Sequence, residues 1–452
     1  MALTTLLLPD WIIPVEPAGT VLAGHGIAIR DGRILAIAPH DDLRQRHPDA
    51  DIRHLPGRVL LPGFVNLHTH AAMSLLRGAG DDLPLMTWLN DRIWPLESRL
   101  VSPDFVHDGS VLAFAEMLAG GTTCCADMYF HPDAVARAAL AIGLRCVVGM
   151  TVIDFPTPYA ANADAYIQQG LAAQSDFRGE ASLGFMFAPH APYTVGDDTL
   201  RRIDMLAEEL DVPIAIHLQE TAQEVSDALA QTGLRPTARL ARLGLLSPRL
   251  IAVHGVHLDA SDIAMLVARG AHLAHCPASN LKLASGIAPV AQLLRDGLNF
   301  GVGTDGAASN NRLDMLSELR LAALLAKGAS GDAAALSAHQ ALHAATLGGA
   351  CALGWQDRIG SLVAGKQADM VAIRLDAAHQ LPVFDPASHV VYTAGREDVD
   401  QVWVAGESVA KKLQLTKISA RMELERILSR IPQWHTLAVG VLSGTKPYVS
   451  KE

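Results

Sequence analysis

The apolar positions of the chain fall into two alternating patterns. Short runs of β-branched and other apolar residues are followed by longer Ala- and Leu-rich stretches with helical spacing, such as residues 198–210 and 260–270. This alternation is typical of parallel strands joined by crossover helices. Eight strands are predicted: RVLLPGFVNLHTH, GTTCCADMY, LRCVVGMTV, ASLGFMFAPHAPYT, VPIAIHLQE, RLIAVHGVHLD, AHLAHCPASN and LNFGVGTDG. The pattern therefore predicts an α/β protein with a closed, TIM-like (β/α)8 barrel.

Both ends of the chain carry a different, strand-rich pattern. In GIAIRDGRILAIAP, Asp31 and Gly32 separate two apolar runs, which is a strong signal for a β-hairpin. A similar composition returns in residues 360–376 and 399–410. We expect the two ends to pair with each other.

The chain is therefore predicted to have three parts. Residues 1–60 and 360–415 form a small β module built from both ends of the chain, and residues 61–359 form the catalytic barrel. Residues 416–452 form a C-terminal helix and a loose tail, because KISARMELERILSRIPQW has helical periodicity with mixed charges.

Composition and charge restrict the classes of partner that the chain can bind. With 452 residues, half of them hydrophobic, the chain can bury a large core. The net charge is −11, and its Lys and Arg residues are scattered, so there is no electrostatic footprint for nucleic acid or an anionic membrane. A small-molecule partner is expected.

The sequence shows no targeting signal. No Lys or Arg precedes Arg30, although a signal peptide would begin with such residues, and no apolar run is long enough to span a bilayer. We expect a cytoplasmic protein. The cysteines include no CxxC pair and are predicted to be small core residues: Cys124, Cys125, Cys146, Cys276 and Cys351.

Polar residues stand where the predicted strands end. In such barrels the active site forms at the carboxyl ends of the strands. His68 and His70 end the first strand and share one face, because side chains alternate along a strand. The other strand-end candidates are His190, His217, His254 and Asp305.

Four of these residues suit a metal ion. Taken singly, each has an ordinary structural explanation, such as a buried histidine or a turn aspartate. Together, three imidazoles and one carboxylate at these strand ends form an open donor set that suits zinc or another divalent transition metal and leaves a position for water. Such a metal lowers the pKa of its water to about 7, which favours hydrolysis.

Two further residues are candidates for proton transfer. Glu220 follows His217 by three residues and is placed to supply a proton to the substrate. His254 is expected to orient or deprotonate the water. With Asp305, these residues form the predicted catalytic group.

The motifs that carry this chemistry also carry a family resemblance. PGFVNLHTH, HLQE, AVHGVHL, HCPASNLKLASG and GVGTDGAASNN resemble the amidohydrolase superfamily, over nearly the whole chain. The branch with methylthioadenosine and S-adenosylhomocysteine deaminases is most similar, and s-triazine hydrolases and guanine deaminase are cousins. FMFAPHAPYT has His190 where a carbamylated lysine ligand would stand. The resemblance therefore implies one divalent metal ion per subunit, zinc with iron as the alternative.

The resemblance also implies roles for individual residues. His68, His70, His217 and Asp305 would bind the metal, and Glu220 would protonate a purine ring nitrogen while hydroxide attacks C6 and ammonia leaves. The resemblance further implies that residues 1–60 and 360–415 form a small composite β-sandwich, and that the chain associates with itself.

Three more residues are expected to bind substrate. RIWPLESRL resembles the family segment whose glutamate contacts ribose hydroxyls, here Glu97, and APHAPYT supplies His190. A solvated helix carboxylate is the alternative for Glu97. Trp88 either stacks on the base, covers the mouth of the barrel or is an ordinary packing residue.

The sequence also bears on which substituent the substrate carries at the ribose 5' position. A homocysteine carboxylate would favour a basic partner, but nothing basic lies between Arg145 and Arg178. The sequence thus favours deamination of 5'-methylthioadenosine to 5'-methylthioinosine, with S-adenosylhomocysteine or adenosine as further substrates. The alternatives are hydrolysis of an s-triazine or another aminated heterocycle, including guanine, and a barrel that serves as a non-catalytic scaffold.

Overall fold

The structure is a computed structural model that describes residues 3–444. Its strands, numbered in chain order, are β1 (Thr5–Ile12), β2 (Leu22–Ala23), β3 (His25–Arg30), β4 (Arg33–Pro39), β5 (Asp51–Pro62), β6 (Phe64–Thr69), β7 (Thr122–Asp127), β8 (Arg145–Val152), β9 (Leu183–Pro189), β10 (Ile214–Leu218), β11 (Leu250–His254), β12 (His272–His275), β13 (Asn299–Val302), β14 (Met370–Arg374), β15 (Val399–Val404), β16 (Glu407–Lys411) and β17 (Gln414–Leu415).

Helices cover the connections between these strands. They are α1 (His40–Arg46), α2 (Leu85–Trp88), α3 (Trp94–Leu100), α4 (Pro103–Ala119), α5 (Pro132–Ile142), α6 (Ala163–Asp176), α7 (Asp197–Leu210), α8 (Ala222–Thr232), α9 (Pro236–Leu243), α10 (Ala260–Ala268), α11 (Pro277–Lys282), α12 (Val290–Asp296), α13 (Ala307–Asn310), α14 (Met315–Ser330), α15 (Ala338–His343), α16 (Gly349–Ala352), α17 (Pro386–Tyr392) and α18 (Ile418–Leu442). None of those within residues 3–444 is long and apolar enough to cross a membrane.

The predicted barrel is confirmed. Strands β6 to β13 form an eight-stranded sheet in chain order, and all seven pairings between neighbours are parallel. The last strand returns to the first, because the N–H of Asp305 donates to the carbonyl of His68 at 3.0 Å. The side chain of Asn66 also accepts from the Thr304 N–H at 2.9 Å. These bonds nearly close the barrel and place the residues after β13 beside the end of β6.

The expected pairing of the chain ends is also confirmed. A mixed nine-stranded sheet joins β1 to β5 with β14 to β17, and β14 runs antiparallel to β5. The predicted hairpin at Asp31 and Gly32 connects β3 and β4. The division of the chain at residues 60, 360 and 415 stays a prediction.

The first predicted strand, RVLLPGFVNLHTH, is wrong as a single element. Its first half belongs to β5 of the terminal sheet and its second half is β6 of the barrel. Gly63 separates them, and a Cβ atom at this position would lie 2.2 Å from the side chain of Thr123. The absence of a side chain lets the chain pass from one sheet to the other against β7.

The C-terminal helix is longer than the predicted periodic segment. α18 packs on α3 and α4, and the indole N–H of Trp434 donates to the buried carboxylate of Asp108 at 2.9 Å. Arg430 pairs with the same carboxylate at 3.1 Å. These contacts tie α18 to α4, and α18 also packs on α3, which carries Glu97. Residues 445–452 of the predicted tail lie outside the described residues.

The cysteines are placed as predicted for core residues. Cys351 is partly exposed and the other four are buried, and all five are free thiols.

Candidate active site

The four predicted metal ligands converge at the carboxyl ends of the barrel strands. His68 Nε2 and His70 Nε2 lie 3.4 Å and 3.3 Å from Asp305 Oδ1. His217 Nε2 lies 3.3 Å from His68 Nε2. These distances join atoms from three strands, so the cluster exists only because the barrel closes.

Hydrogen bonds behind the cluster set the direction of its donor atoms. His70 Nδ1 lies 2.5 Å from the carbonyl oxygen of Met128, and His217 Nδ1 lies 2.7 Å from that of His190. A carbonyl can only accept, so each Nδ1 carries the proton and each Nε2 turns a lone pair toward the centre. This arrangement is typical of histidines that bind a metal.

Asp305 is held in the same way. Its Oδ2 accepts hydrogen bonds from the hydroxyls of Ser279 at 2.6 Å and Ser309 at 2.7 Å. Its buried Oδ1 has no hydrogen-bond donor in the described part of the chain. Asp305 also has a φ of +59°, a strained conformation of the kind that collects at functional sites.

The charges of the cluster fit a cation. Burial lowers the pKa of His68 to about 4 and that of His217 well below the usual value, so these imidazoles are neutral. Burial would raise the pKa of Asp305, but the neighbouring histidines hold it well below its usual range. Neutral lone pairs and a carboxylate facing one buried point are unfavourable unless a cation fills it. The donor set therefore fits a divalent metal.

Glu220 and His254 lie beside this cluster. Glu220 Oε2 is 3.7 Å from His254 Nε2. The hydroxyl of Ser285 donates a hydrogen bond to Glu220 Oε1 at 3.3 Å. His254 Nδ1 is fixed by the side-chain oxygen of Asn280 at 2.8 Å. His254 has a φ of +71°, which is rare for a residue with a side chain.

The electrostatics of this pair suit proton transfer. Burial raises the pKa of Glu220, which favours the protonated carboxyl. Burial lowers the pKa of His254, but the negative charges of Glu220 and Asp305 outweigh it and leave that pKa raised. Both shifts favour the proton-carrying form of the group.

One cavity joins the cluster to the predicted substrate residues. It has a volume of about 900 Å³ including its mouth, and it is lined by Glu220, His254, Glu97, His190 and Trp88. His190 Nδ1 is tied to the hydroxyl of Thr194 at 2.9 Å. The structure thus brings all the predicted site residues to one place.

Glu97 lies at the wall of this cavity and is not a solvated helix carboxylate. The hydroxyl of Tyr129 donates to Glu97 Oε1 at 2.7 Å. Burial raises the pKa of Glu97 to about 7, although the Tyr129 hydrogen bond acts in the opposite direction. Trp88 is buried in the same wall, and its indole N–H has no partner among residues 3–444.

Several residues of the site were missed by the sequence analysis. Tyr129 lies two residues beyond the end of β7, and the rule that placed the histidines at strand ends could have found it. Ser279 and Asn280 fall within the motif HCPASN, but their hydrogen bonds to Asp305 and His254 join different strands. Loop residues also contribute to the apolar wall: Phe130, Ile153, Phe155, Tyr193 and Leu283.

The barrel and its donor cluster define a hydrolytic enzyme with a site for a divalent metal. The chain belongs to the amidohydrolase family, whose model matches residues 59–409. Residues 26–50 match the bacterial imidazolonepropionase-like composite domain. The resemblance seen in the sequence motifs is confirmed.

Curated relatives share most of the chain. A protein of Teredinibacter turnerae named 5-methylthioadenosine/S-adenosylhomocysteine deaminase is 46% identical over 94% of this chain and 95% of its own length. A protein of the same name from Saccharophagus degradans is 45% identical over 91% and 92%.

Solved structures agree with the fold. An adenosine deaminase from Xanthomonas campestris with bound zinc is 46% identical, with a TM-score of 0.93 over 96% of this chain and 98% of that one. A zinc complex of atrazine chlorohydrolase from Arthrobacter aurescens is 24% identical, with a TM-score of 0.87 over 95% and 99%. At that identity the second likeness concerns the fold alone.

Proposed function

We propose that this enzyme hydrolytically deaminates an adenosine derivative at purine C6, and that its preferred substrate is 5'-methylthioadenosine. Relatives at 40–46% identity carry the name of this activity. The observation that carries the proposal is the single cavity that has Glu220 beside the donor cluster and Glu97 in its wall. Such a cavity can hold a purine ring and its ribose together.

The proposed cofactor is one zinc ion, held by His68, His70, His217 and Asp305. The convergent Nε2 atoms of the three imidazoles and the free Oδ1 of Asp305 support this assignment. When bound, zinc lowers the pKa of a coordinated water molecule to about 7, so that hydroxide is present at neutral pH.

The residues of this chain then move the protons. Glu220 donates a proton to a ring nitrogen of the purine as water adds to C6, because its raised pKa favours the protonated acid. His254 orients the water and takes one of its protons, with Asp305 as a second acceptor at the same place, and the C6–O bond forms. His254 then gives this proton to the amino group, the C6–N bond breaks and ammonia leaves. The proton of the new C6 hydroxyl returns to Glu220 as the carbonyl forms.

Three residues hold the rest of the nucleoside in this proposal. Glu97 accepts hydrogen bonds from the ribose hydroxyls, and His190 contacts the substrate from the end of β9. Trp88 covers the base in the cavity wall, where it is buried and lies near Gly80.

The role of Glu97 predicts a pH effect. Its carboxylate must be ionised to accept two hydroxyl donors, so kcat/KM for a ribonucleoside should fall as the pH drops below about 7. Glu97→Gln should raise KM by about 10-fold to 100-fold, the loss of one or two hydrogen bonds to a charged group, with a smaller change in kcat.

Steady-state kinetics with 5'-methylthioadenosine and its 3'-deoxy analogue check this role. The wild-type enzyme should bind the analogue more weakly than 5'-methylthioadenosine. The Glu97→Gln variant should bind the two compounds about equally. An equal loss with both enzymes would remove Glu97 from ribose recognition.

The cavity also bears on the 5' substituent. Arg145, which the sequence left near this region, lies at the start of β8 and pairs with Asp369 of the terminal sheet at 2.6 Å. It therefore faces away from the mouth. The loop after β8 instead contributes Ile153 and Phe155, and no Lys or Arg is among the described residues that line the cavity.

A neutral wall predicts discrimination by charge. S-adenosylhomocysteine would bring a carboxylate and an ammonium against apolar side chains, which is unfavourable without partners. We expect its kcat/KM to be at least about 10-fold below that for 5'-methylthioadenosine, a difference of about 1.4 kcal/mol. Kinetics with both substrates, adenosine and guanine test the proposal, since comparable use of S-adenosylhomocysteine would overturn this part of it.

A matched pair of variants sharpens the test. Phe155 lines the cavity and is 41% exposed, so an arginine fits there at the mouth. Phe155→Arg should improve the use of S-adenosylhomocysteine relative to 5'-methylthioadenosine, whereas the neutral control Phe155→Leu should not.

The two alternatives remain distinguishable. Hydrolysis of an s-triazine or of guanine would use the same donor cluster, but it gives no role to a carboxylate that binds ribose hydroxyls. A non-catalytic scaffold has no need for Glu220 beside four convergent donor atoms. Turnover of a triazine or of guanine without turnover of any nucleoside would favour the first alternative, and a metal-free, inactive protein would favour the second.

A further inference from the structure

The loop after β10 carries Glu220 in a constrained conformation. Gln219, directly before it, has a φ of +51°, which residues with a side chain seldom adopt. The direction of the Glu220 side chain depends on this turn. Something must therefore hold the backbone of the two residues in place.

The carboxylate of Glu224 provides this restraint. Its Oε1 accepts the N–H of Gln219 and its Oε2 accepts the N–H of Glu220, both at 2.9 Å. A glutamate at the third position of a helix ordinarily accepts the N–H of the N-cap residue, here Thr221. Glu224 reaches past the cap, so it restrains the catalytic loop as well as the helix.

The opposite side of the loop is fixed by the side chain of Gln219. Its amide group donates to the carbonyl of His257 and to Asp262, each at 2.9 Å. Its oxygen accepts the N–H of Thr237 at 3.1 Å. The Gln219 side chain thus ties the loop to α9 and α10. The two hydrogen bonds from Glu224 hold the backbone N–H groups of Gln219 and Glu220, so the peptide that carries Glu220 is restrained on both sides.

We propose that Glu224 is a positioning residue that aims Glu220 at the substrate. The inference rests on the proposed role of Glu220 as proton donor. Burial raises the pKa of Glu224 to about 7, against the effect of its two backbone hydrogen bonds, so the ionised clamp is expensive to maintain. The two hydrogen bonds from Glu224 fix the loop that carries Glu220. Such positioning matters because proton transfer requires the donor within about 3 Å of the acceptor.

Glu224→Gln is the direct test. The amide keeps the shape and one acceptor, but its NH2 group cannot accept the second backbone N–H. We expect kcat for 5'-methylthioadenosine to fall by about 10-fold to 100-fold, the usual effect of losing a supporting hydrogen bond, with KM changed by less than about 3-fold. Gln223→Ala, at an exposed neighbouring position on the same helix, should behave like the wild-type enzyme.

A double-mutant cycle separates positioning from general damage. If Glu224 acts through Glu220, Glu224→Gln should lower activity by less than about 3-fold when Glu220→Gln is already present. A loss of the same factor in both backgrounds would overturn the proposal, and so would wild-type kcat in the single variant.

Amide hydrogen exchange gives a readout that needs no turnover. Glu224→Gln should speed exchange at Gln219 and Glu220, while peptides from the middle of α8 keep their protection. Unchanged exchange at both amides would overturn the proposal. If the wild-type enzyme deaminated no nucleoside, the proposed function would fail, and this measurement would still decide whether Glu224 holds the loop.

Discussion

Glu220→Gln should lower kcat by about 10²-fold to 10⁴-fold and leave the bound metal in place. The variant keeps the size of the side chain but cannot hold a transferable proton, and a general acid contributes about this factor to catalysis. Glu220 does not belong to the four convergent donors, so metal content should match that of the wild-type enzyme.

Metal analysis and steady-state kinetics on the same preparations check this expectation. Glu209→Gln, an exposed carboxyl on α7, is the matched control and should change neither quantity. Wild-type kcat in Glu220→Gln would refute the role of Glu220 as proton donor. Loss of the metal would instead move Glu220 into the ligand set.

His217→Ala should lose both the metal and the activity. Its Nε2 directs a lone pair toward the centre of the cluster and lies 3.3 Å from His68 Nε2. Because loss of an outer hydrogen-bond partner already lowers metal affinity by about 10-fold to 100-fold, loss of the ligand itself should lower it further. The wild-type enzyme stripped by a chelator should likewise be inactive and regain turnover with about one equivalent of zinc.

Titration with zinc, followed by activity and by melting temperature, measures both effects. Zinc binds the folded state, so its removal should lower the melting temperature of the wild-type enzyme and change that of His217→Ala much less. His435→Ala, on the exposed face of α18, serves as the control. Normal metal content in His217→Ala would exclude this histidine as a ligand.

The convergence of the donor residues could be predicted because few residue types bind a metal. A histidine or aspartate after an apolar strand can be read directly, and parallel strands bring their carboxyl ends to one edge. His68, His217 and Asp305 are therefore predictable from one sequence. Glu97 needed the family resemblance, because it lies on a helix with no local pattern that separates it from a solvated carboxylate.

What the sequence could not give depends on contacts between distant segments. The hydrogen bond of Tyr129 to Glu97 joins the end of β7 to α3, and no spacing rule connects them. Arg145 illustrates the same limit, since its basic charge was visible but not the end of the barrel at which it lies. The clamp of Glu224 is local in sequence, yet it requires the positive φ of Gln219, which the pattern of residue types does not reveal.

The break in the first predicted strand has a related cause. An apolar run of this length reads as one strand, because hydrophobic pattern alone does not say which of two sheets a residue joins. Gly63 marks the change of sheet, but its meaning comes from the close approach of Thr123.

The most direct measurement is the fate of 5'-methylthioadenosine incubated with zinc-loaded enzyme in water enriched in ¹⁸O. Mass spectrometry and an ammonia assay follow the two bonds that change. Hydrolytic deamination at C6 should give 5'-methylthioinosine with one ¹⁸O atom, together with one ammonia for each product molecule. Release of free adenine, or unchanged substrate beside active turnover of a triazine, would contradict hydrolytic deamination at C6.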